Sequence, residues 1–241
     1  MTPDFFKNIP SEKEIYKFRN YILKWFEKNK RDYPWRETDD PFRLLIAEIM
    51  LRRTNADQVK NVYIELFNKY PDSYSISKAD KKDIEKILYP LGLRWRVPSI
   101  ISVAQQIQEK FYGKVPHTRN ELIELPGVGD YVAGAVLSMA FNEKEWIVDS
   151  NIVRLFKRYF GVETSKEGRR DKHIINIAKV YSSSKKSRDA NLAILDFAAI
   201  VCTPKNPDHK CCILKKNCSY FTSRLNEKIM NLKKIEKIPH G

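Results

Sequence analysis

The chain is 241 residues long, with 44 lysines and arginines against 30 aspartates and glutamates, a net charge of +14. That length supports one sizeable domain or two small ones, and the basic balance points to a polyanionic partner, of which nucleic acid is the commonest. No run approaches the roughly 18 apolar residues of a membrane span, and Met1–Ser11 lacks the apolar segment of a secretory signal, so an intracellular protein with no membrane partner is expected.

The expected elements are almost all helical. Ser11 and Glu14 read as a capping box opening a helix to about Lys30, with Ile15, Phe18, Ile22, Trp25 and Phe26 on one face. Pro34 ends it in an aromatic turn, Tyr33–Arg36. Asp40 and Pro41 start a second helix through Leu51, apolar on nearly every side and therefore expected to be buried. Further helices are predicted at Ala56–Lys69, Lys81–Leu88, Pro98–Phe111 and Thr118–Leu125, the last opened by a capping box of Thr118 and Glu121. Others follow at Tyr131–Phe141, Ser150–Phe160, Asp171–Ser182 and Asp189–Val201. The tail, Phe221–Ile238, has apolar residues at helical spacing, consistent with an amphipathic helix or a disordered basic segment. No run alternates as a strand would, so the fold class is all-α.

Three features carry chemistry. Leu125-Pro126-Gly127-Val128-Gly129 lies between two helical patterns; its glycines permit unusual backbone angles, and N–H groups at the start of the next helix suit a phosphate. Taken alone, it is an ordinary turn. Twenty residues beyond Gly129, Asp149 precedes an apolar helix, where its plain role is an N-cap. All four cysteines lie between Cys202 and Cys218; such clustering in an intracellular chain reads as a metal or iron–sulfur site rather than a disulfide framework.

In this order the three features resemble the helix-hairpin-helix DNA glycosylase superfamily, which includes endonuclease III, the adenine glycosylase MutY and, most similar to this chain, the archaeal thymine-DNA mismatch glycosylases (Mig). The resemblance covers roughly Tyr33 to Tyr220. It implies two helical domains with DNA bound in the cleft between them: a six-helix barrel with the hairpin at 33–143, an iron–sulfur domain from 1–32 and 144–222, and a basic tail at 223–241. It implies a double-stranded DNA partner carrying a mismatched or damaged base, whose target nucleotide is flipped from the stack, and a monomeric, cytoplasmic, nucleoid-associated protein of a prokaryote.

The resemblance also assigns residues. Asp149 matches the catalytic aspartate, whose charge stabilises the positive sugar of the transition state and helps activate water; Asn151 matches a nearby polar position. Two residues after Gly129, bifunctional relatives carry a Schiff-base lysine. Here Tyr131 stands there, and a phenol cannot form that adduct, so a monofunctional enzyme is expected. Glu48 lies in an otherwise apolar run and aligns with the glutamate that protonates adenine in MutY. Burial would raise its pKa and suit it to proton donation; the plain alternative is a structural carboxylate. Arg52 and Arg53, expected on the same helix, match the stretch that fills the gap left by the flipped base, and Arg-Arg-Thr is the Mig pattern. Gly127 and Gly129 match the phosphate-binding hairpin.

The family's C-x6-C-x2-C-x5-C pattern, which holds a [4Fe-4S] cluster, is irregular here. Cys202, Cys212 and Cys218 fit it, but His209 occupies the second position and Cys211 sits beside Cys212. The expected set is Cys202, Cys211, Cys212 and Cys218, with His209 as the alternative ligand and zinc as the alternative metal. Lys205, Lys210, Lys215 and Lys216 surround the site and suit the DNA backbone. The expected activity is removal of thymine or uracil mispaired with guanine. The alternatives are a MutY-like adenine glycosylase, disfavoured because too little chain follows the cysteines for MutY's extra domain, and a non-catalytic DNA-binding module.

Overall fold

A computed structural model describes residues 9–92 and 96–226. Every regular element among them is helical: α1 (Glu12–Asn29), α2 (Pro41–Leu51), α3 (Ala56–Lys69), α4 (Ser73–Ser77), α5 (Lys81–Leu88), α6 (Val97–Phe111), α7 (Arg119–Glu124), α8 (Asp130–Ala140), α9 (Ser150–Phe160), α10 (Lys172–Ser182) and α11 (Ser187–Ile200). Residues 219–226 are also helical; the remainder of the expected tail helix lies outside the described residues. The one α-helix among these that periodicity missed is α4, which is too short to show a period. It is held instead by a local box in which Asp72 and Ser75 cap each other. No described helix is long and apolar enough to cross a membrane.

Backbone contacts divide the chain into two units. Of the described residues, the first comprises 9–30, 148–182 and 192–226, the second 31–92, 96–147 and 183–191. The expected division differs chiefly at 183–191, the approach to and first part of α11. The reason is polar. Arg188 donates to the carbonyls of Arg36 (2.8 Å) and Thr38 (2.9 Å) and to that of Met139, while Asn142 donates to Lys185 O at 3.0 Å. Asn191 donates to Glu145 O at 2.8 Å. These bonds hold 183–191 to the second unit, whereas hydrophobic patterning shows only which face of α11 is apolar.

In the first unit, α1 starts as expected, with Ser11 and Glu14 in a reciprocal capping box. Its apolar face centres on Phe18, fully buried, whose ring lies 4.7 Å from that of Tyr159, 5.2 Å from Phe160, 5.8 Å from Tyr181 and 5.9 Å from Phe156. Truncating such a residue to alanine typically costs about 3–5 kcal/mol, so this aromatic cluster accounts for much of the packing of α1 against α9 and α10.

In the second unit, α2 is buried from Leu44 through Met50 and packs against α8. Buried small residues of α8, among them Ala133, Gly134 and Ala135, permit close approach. At Gly134 the Trp146 backbone lies where a side chain would begin: a Cβ would overlap the Trp146 carbonyl oxygen. Arg119 fixes that segment by donating to Trp146 O (3.0 Å) and Asp130 O (2.8 Å), pairing with Glu145, and stacking over the Trp146 ring at 4.3 Å. Because the obstacle is backbone, it cannot swing aside. Gly134→Ala is therefore expected to destabilise the protein by about 3 kcal/mol. Gly129→Ala, where nothing lies within 4 Å of the added atom, should cost less than about 1 kcal/mol. Urea unfolding monitored by circular dichroism checks the pair, and equal losses would contradict this packing.

Candidate functional site

The hairpin belongs to the second unit. α7 ends at Glu124, Leu125 turns inward to be buried, and Val128 N–H donates to Leu125 O at 3.1 Å. Gly127 has φ +79°, the left-handed region that favours glycine. Gly129 does not: its φ of −122° and ψ of −177° describe extended backbone that any residue adopts. Both glycines permit unusual angles, but only Gly127 adopts one. Gly129 serves differently, as the N-cap of α8, with no side chain of its own to cap the first-turn N–H groups. Those donors sit at the positive end of a helix, which favours an anion. Tyr131 lies in this first turn, half-buried.

α2 leads to the same hairpin. It ends at Leu51, so Arg52 and Arg53 are not on the helix as expected but in the turn that terminates it, ahead of Asn55, which caps α3 by accepting from Asp57 N–H at 2.8 Å. Arg52 is the C-cap, and its Nη1 donates to Gly127 O at 2.9 Å. Arg53 is exposed with φ +58°, a left-handed conformation costing a non-glycine residue about 1–2 kcal/mol. Strain of this kind clusters at functional sites.

The sequence reading assigned Arg96 no role. It is 1% exposed, and its Nη1 donates to the carbonyls of Ile49 (3.0 Å) and Met50 (2.8 Å) in the last turn of α2. It thereby satisfies acceptors that a helix end leaves without partners. Burial, with Arg52 and Arg53 adding repulsion, pulls its guanidinium down to about 10, still cationic at neutral pH. No motif marks Arg96; only the folded chain brings it to α2. Glu48, on the same helix, is 5% exposed, as its apolar neighbours required.

Asp149 belongs to the first unit. It caps α9: Oδ1 accepts from the Ile152 N–H at 2.7 Å. Its other oxygen, Oδ2, accepts from Asn151 Nδ2 at 2.8 Å. Asn151 is oriented in turn, its Oδ1 accepting from Arg154 Nη1 at 2.7 Å. The Arg154 guanidinium then reaches the cysteine segment, Nε and Nη2 donating to Cys202 O at 3.0 and 2.9 Å and Nη2 to Ala198 O at 2.8 Å. Burial lowers the Arg154 pKa. The sequence reading missed this residue, although its spacing of three from Asn151 on a helix was a usable signal.

Three of the four cysteines converge. Cys202, Cys212 and Cys218 line one open cavity, together with His209 and the apolar side chains of Leu155 and Phe197. Cys211 is exposed and is not part of the lining; its N–H donates to Asp208 Oδ1 at 3.1 Å. Arg158 Nη1 lies 3.5 Å from Cys202 Sγ, and the Cys218 thiol donates to Arg158 O at 3.3 Å. Burial pushes the Cys212 and Cys218 thiols up, a cost that thiolate–metal bonds and a nearby guanidinium would offset. Among the described residues, no three His, Cys, Asp or Glu side chains form a group able to hold a single ion. Three thiols and an imidazole lining one cavity are donors of the chemistry that an iron–sulfur cluster or zinc takes.

Residues 46–179, from α2 into α10, match the HhH-GPD superfamily of base excision DNA repair proteins. The chain is 38% identical to a thymine/uracil-DNA glycosylase of Methanothermobacter thermautotrophicus, over 85% of this chain and 93% of the relative. It is 34% identical to a thymine/uracil-DNA glycosylase of Pyrobaculum aerophilum, over 90% and 96%. An adenine DNA glycosylase of Buchnera aphidicola is 32% identical, but the match spans only 62% of that relative. Among solved structures, a thermostable thymine-DNA glycosylase superposes with a TM-score of 0.80 at 36% identity, covering 88% of this chain and 98% of that one. A trapped endonuclease III–DNA covalent intermediate shares the fold, with a TM-score of 0.75 at 24% identity over 90% and 99%. The chain therefore belongs to the HhH-GPD superfamily of base excision DNA repair proteins and is a DNA glycosylase.

Proposed function

We propose that this protein removes thymine or uracil mispaired with guanine, hydrolysing the N-glycosidic bond of a flipped nucleotide and leaving an abasic site. The observation that carries the reading is the Asp149 carboxylate, with one oxygen on the start of α9 and the other oriented by Asn151 and Arg154. As the bond to the base breaks, positive charge develops on the sugar, and a preoriented carboxylate stabilises it without reorganising. Asp149 also helps activate the attacking water, and Glu48 supplies a proton to the departing base. Tyr131, lacking an amine, offers no Schiff-base route at that position, so any strand cleavage is weak and secondary. The thymine and uracil preference is supported by the relatives of this name, which match over nearly their whole length.

DNA is held in this reading by contacts that carry no sequence information. The start of α8 at Gly129 binds a phosphate, while Gly127 and Arg52 hold the hairpin in shape. Arg53 enters the duplex to occupy the space of the flipped nucleotide. The protein acts on mismatched double-stranded DNA as a monomer. Cys202, Cys212 and Cys218 would serve as ligands of a [4Fe-4S] cluster, which when bound would tie the 202–218 segment together. The Cys202 carbonyl on which Arg154 rests belongs to that segment, so the same ligation would steady Arg154 and, through Asn151, Asp149.

Single-turnover assays on G·T, G·U and A·8-oxoguanine duplexes test the reading. Base release is expected from the first two, with breaks appearing only after alkali and no borohydride-trapped adduct. Release from the third alone would transfer the protein to the adenine reading, and release from none would remove the enzymatic one for these substrates. Asp149→Asn separates capping from charge, because asparagine caps as well as aspartate. It should lower excision by about a thousandfold while folding and mismatch binding persist; undiminished excision would refute the assigned role. Arg53→Gly relieves the left-handed strain. It should gain up to about 1 kcal/mol of stability while weakening mismatch binding about tenfold, or about 1.4 kcal/mol, as read by urea unfolding and fluorescence anisotropy.

A further inference from the structure

The cysteine cavity has a fourth donor that the thiolate set leaves out. Cys202, His209, Cys212 and Cys218 follow one another with six, two and five intervening residues, and all four line the same cavity. Cys211, the remaining cysteine, is exposed and bonded through its N–H to the Asp208 carboxylate. Since Cys212 faces the cavity, its immediate neighbour in this turn is directed elsewhere. Two adjacent residues would also have to reach two corners of one cubane, unlike the spaced ligand runs C-x2-C-x2-C-x3-C and C-x4-C-x2-C. The imidazole is not loosely placed. Its ring packs edge-on against Phe221 at 5.0 Å and lies 6.1 Å from Tyr220, which itself lines the cavity, and the His209 backbone N–H donates to Pro207 O at 3.0 Å.

We propose that His209, not Cys211, is the fourth ligand, making a [4Fe-4S] site of three thiolates and one imidazole. This rests on the cluster reading above and narrows it. A neutral imidazole in place of a thiolate leaves the cluster one negative charge lighter, which favours its reduced form and raises its potential, as histidine ligation does in other iron–sulfur centres. The exposed Cys211 then remains a free thiol beside the site rather than a part of it.

The test uses the full chain purified without oxygen. Iron and acid-labile sulfide are measured per chain for the wild type, Cys211→Ser, His209→Ala and His209→Cys, with circular dichroism confirming that each is folded. Cys211→Ser should retain the wild-type iron content and reduction potential. His209→Ala should lose at least half its iron. His209→Cys should keep its iron but shift to a lower potential, a result that requires position 209 to reach the cluster and does not depend on the alanine variant folding. In protein labelled with ¹⁵N-histidine, pulsed electron paramagnetic resonance of the cluster in a paramagnetic state should show one directly bonded nitrogen, absent in His209→Cys. Loss of iron in Cys211→Ser with retention in His209→Ala overturns the assignment. So does an iron-loaded wild type without nitrogen coupling. A wild type that binds no iron and shows no absorbance near ~400 nm would instead overturn the cluster reading itself, and this inference with it.

Discussion

A carboxylate that serves as a helix cap is held by one oxygen only, and its other lone pairs accept whatever donor comes near. At Asp149 that second donor is specified. Asn151 takes the free oxygen, and Arg154 holds Asn151 from the opposite side while spreading its remaining donors over the carbonyls of Ala198 and Cys202. The guanidinium is suited to this because its donors form a planar fork. It is half-buried among carbonyls, and those hydrogen bonds offset the cost of burying its charge. Asp149 therefore keeps its orientation through bonds within one folded unit, and the cysteine segment supplies the anchor.

The second unit meets a similar problem with backbone. α2 is buried almost throughout, so its terminal carbonyls are far from water and need donors. A buried arginine provides them at Ile49 and Met50, and the chain then turns sharply through a strained Arg53. A less constrained ending, with the helix running on through Arg52 and Arg53, would not bring Arg52 to the Gly127 carbonyl. Burial is the main cause of the lowered pKa of Arg96, and repulsion from the nearby Arg52 and Arg53 adds to it. In this basic chain, such repulsion is relieved when a phosphate backbone lies nearby.

Periodicity made the all-α class legible, and nearly every helix with it, because an apolar face every 3.6 residues survives in any tertiary setting. The hairpin, Asp149 and the cysteine cluster were legible as an ordered set, though each alone was ambiguous between a turn, a cap and spare thiols. The burial of Glu48 followed from its neighbours. What was not legible depended on partners distant in the chain. Arg96 lies more than forty residues from the carbonyls it satisfies, and no local pattern announces such a pairing. The 183–191 segment joined the second unit through side-chain bonds to backbone carbonyls, which carry no residue identity. Even Gly129, identical in type to Gly127, proved to hold an ordinary backbone conformation.

The amino-acid order by itself determined the helices, the positive charge, the hairpin with its two glycines, and the set of donors gathered between residues 202 and 218. These are local properties, set by side-chain type and spacing. Tertiary structure alone decided which donors face one cavity, that α2 stops before Arg52, and that Asp149 is tied through Asn151 and Arg154 to the carbonyl of Cys202. Those outcomes depend on directions of side chains and on backbone groups that every residue shares, and only a folded chain assigns either.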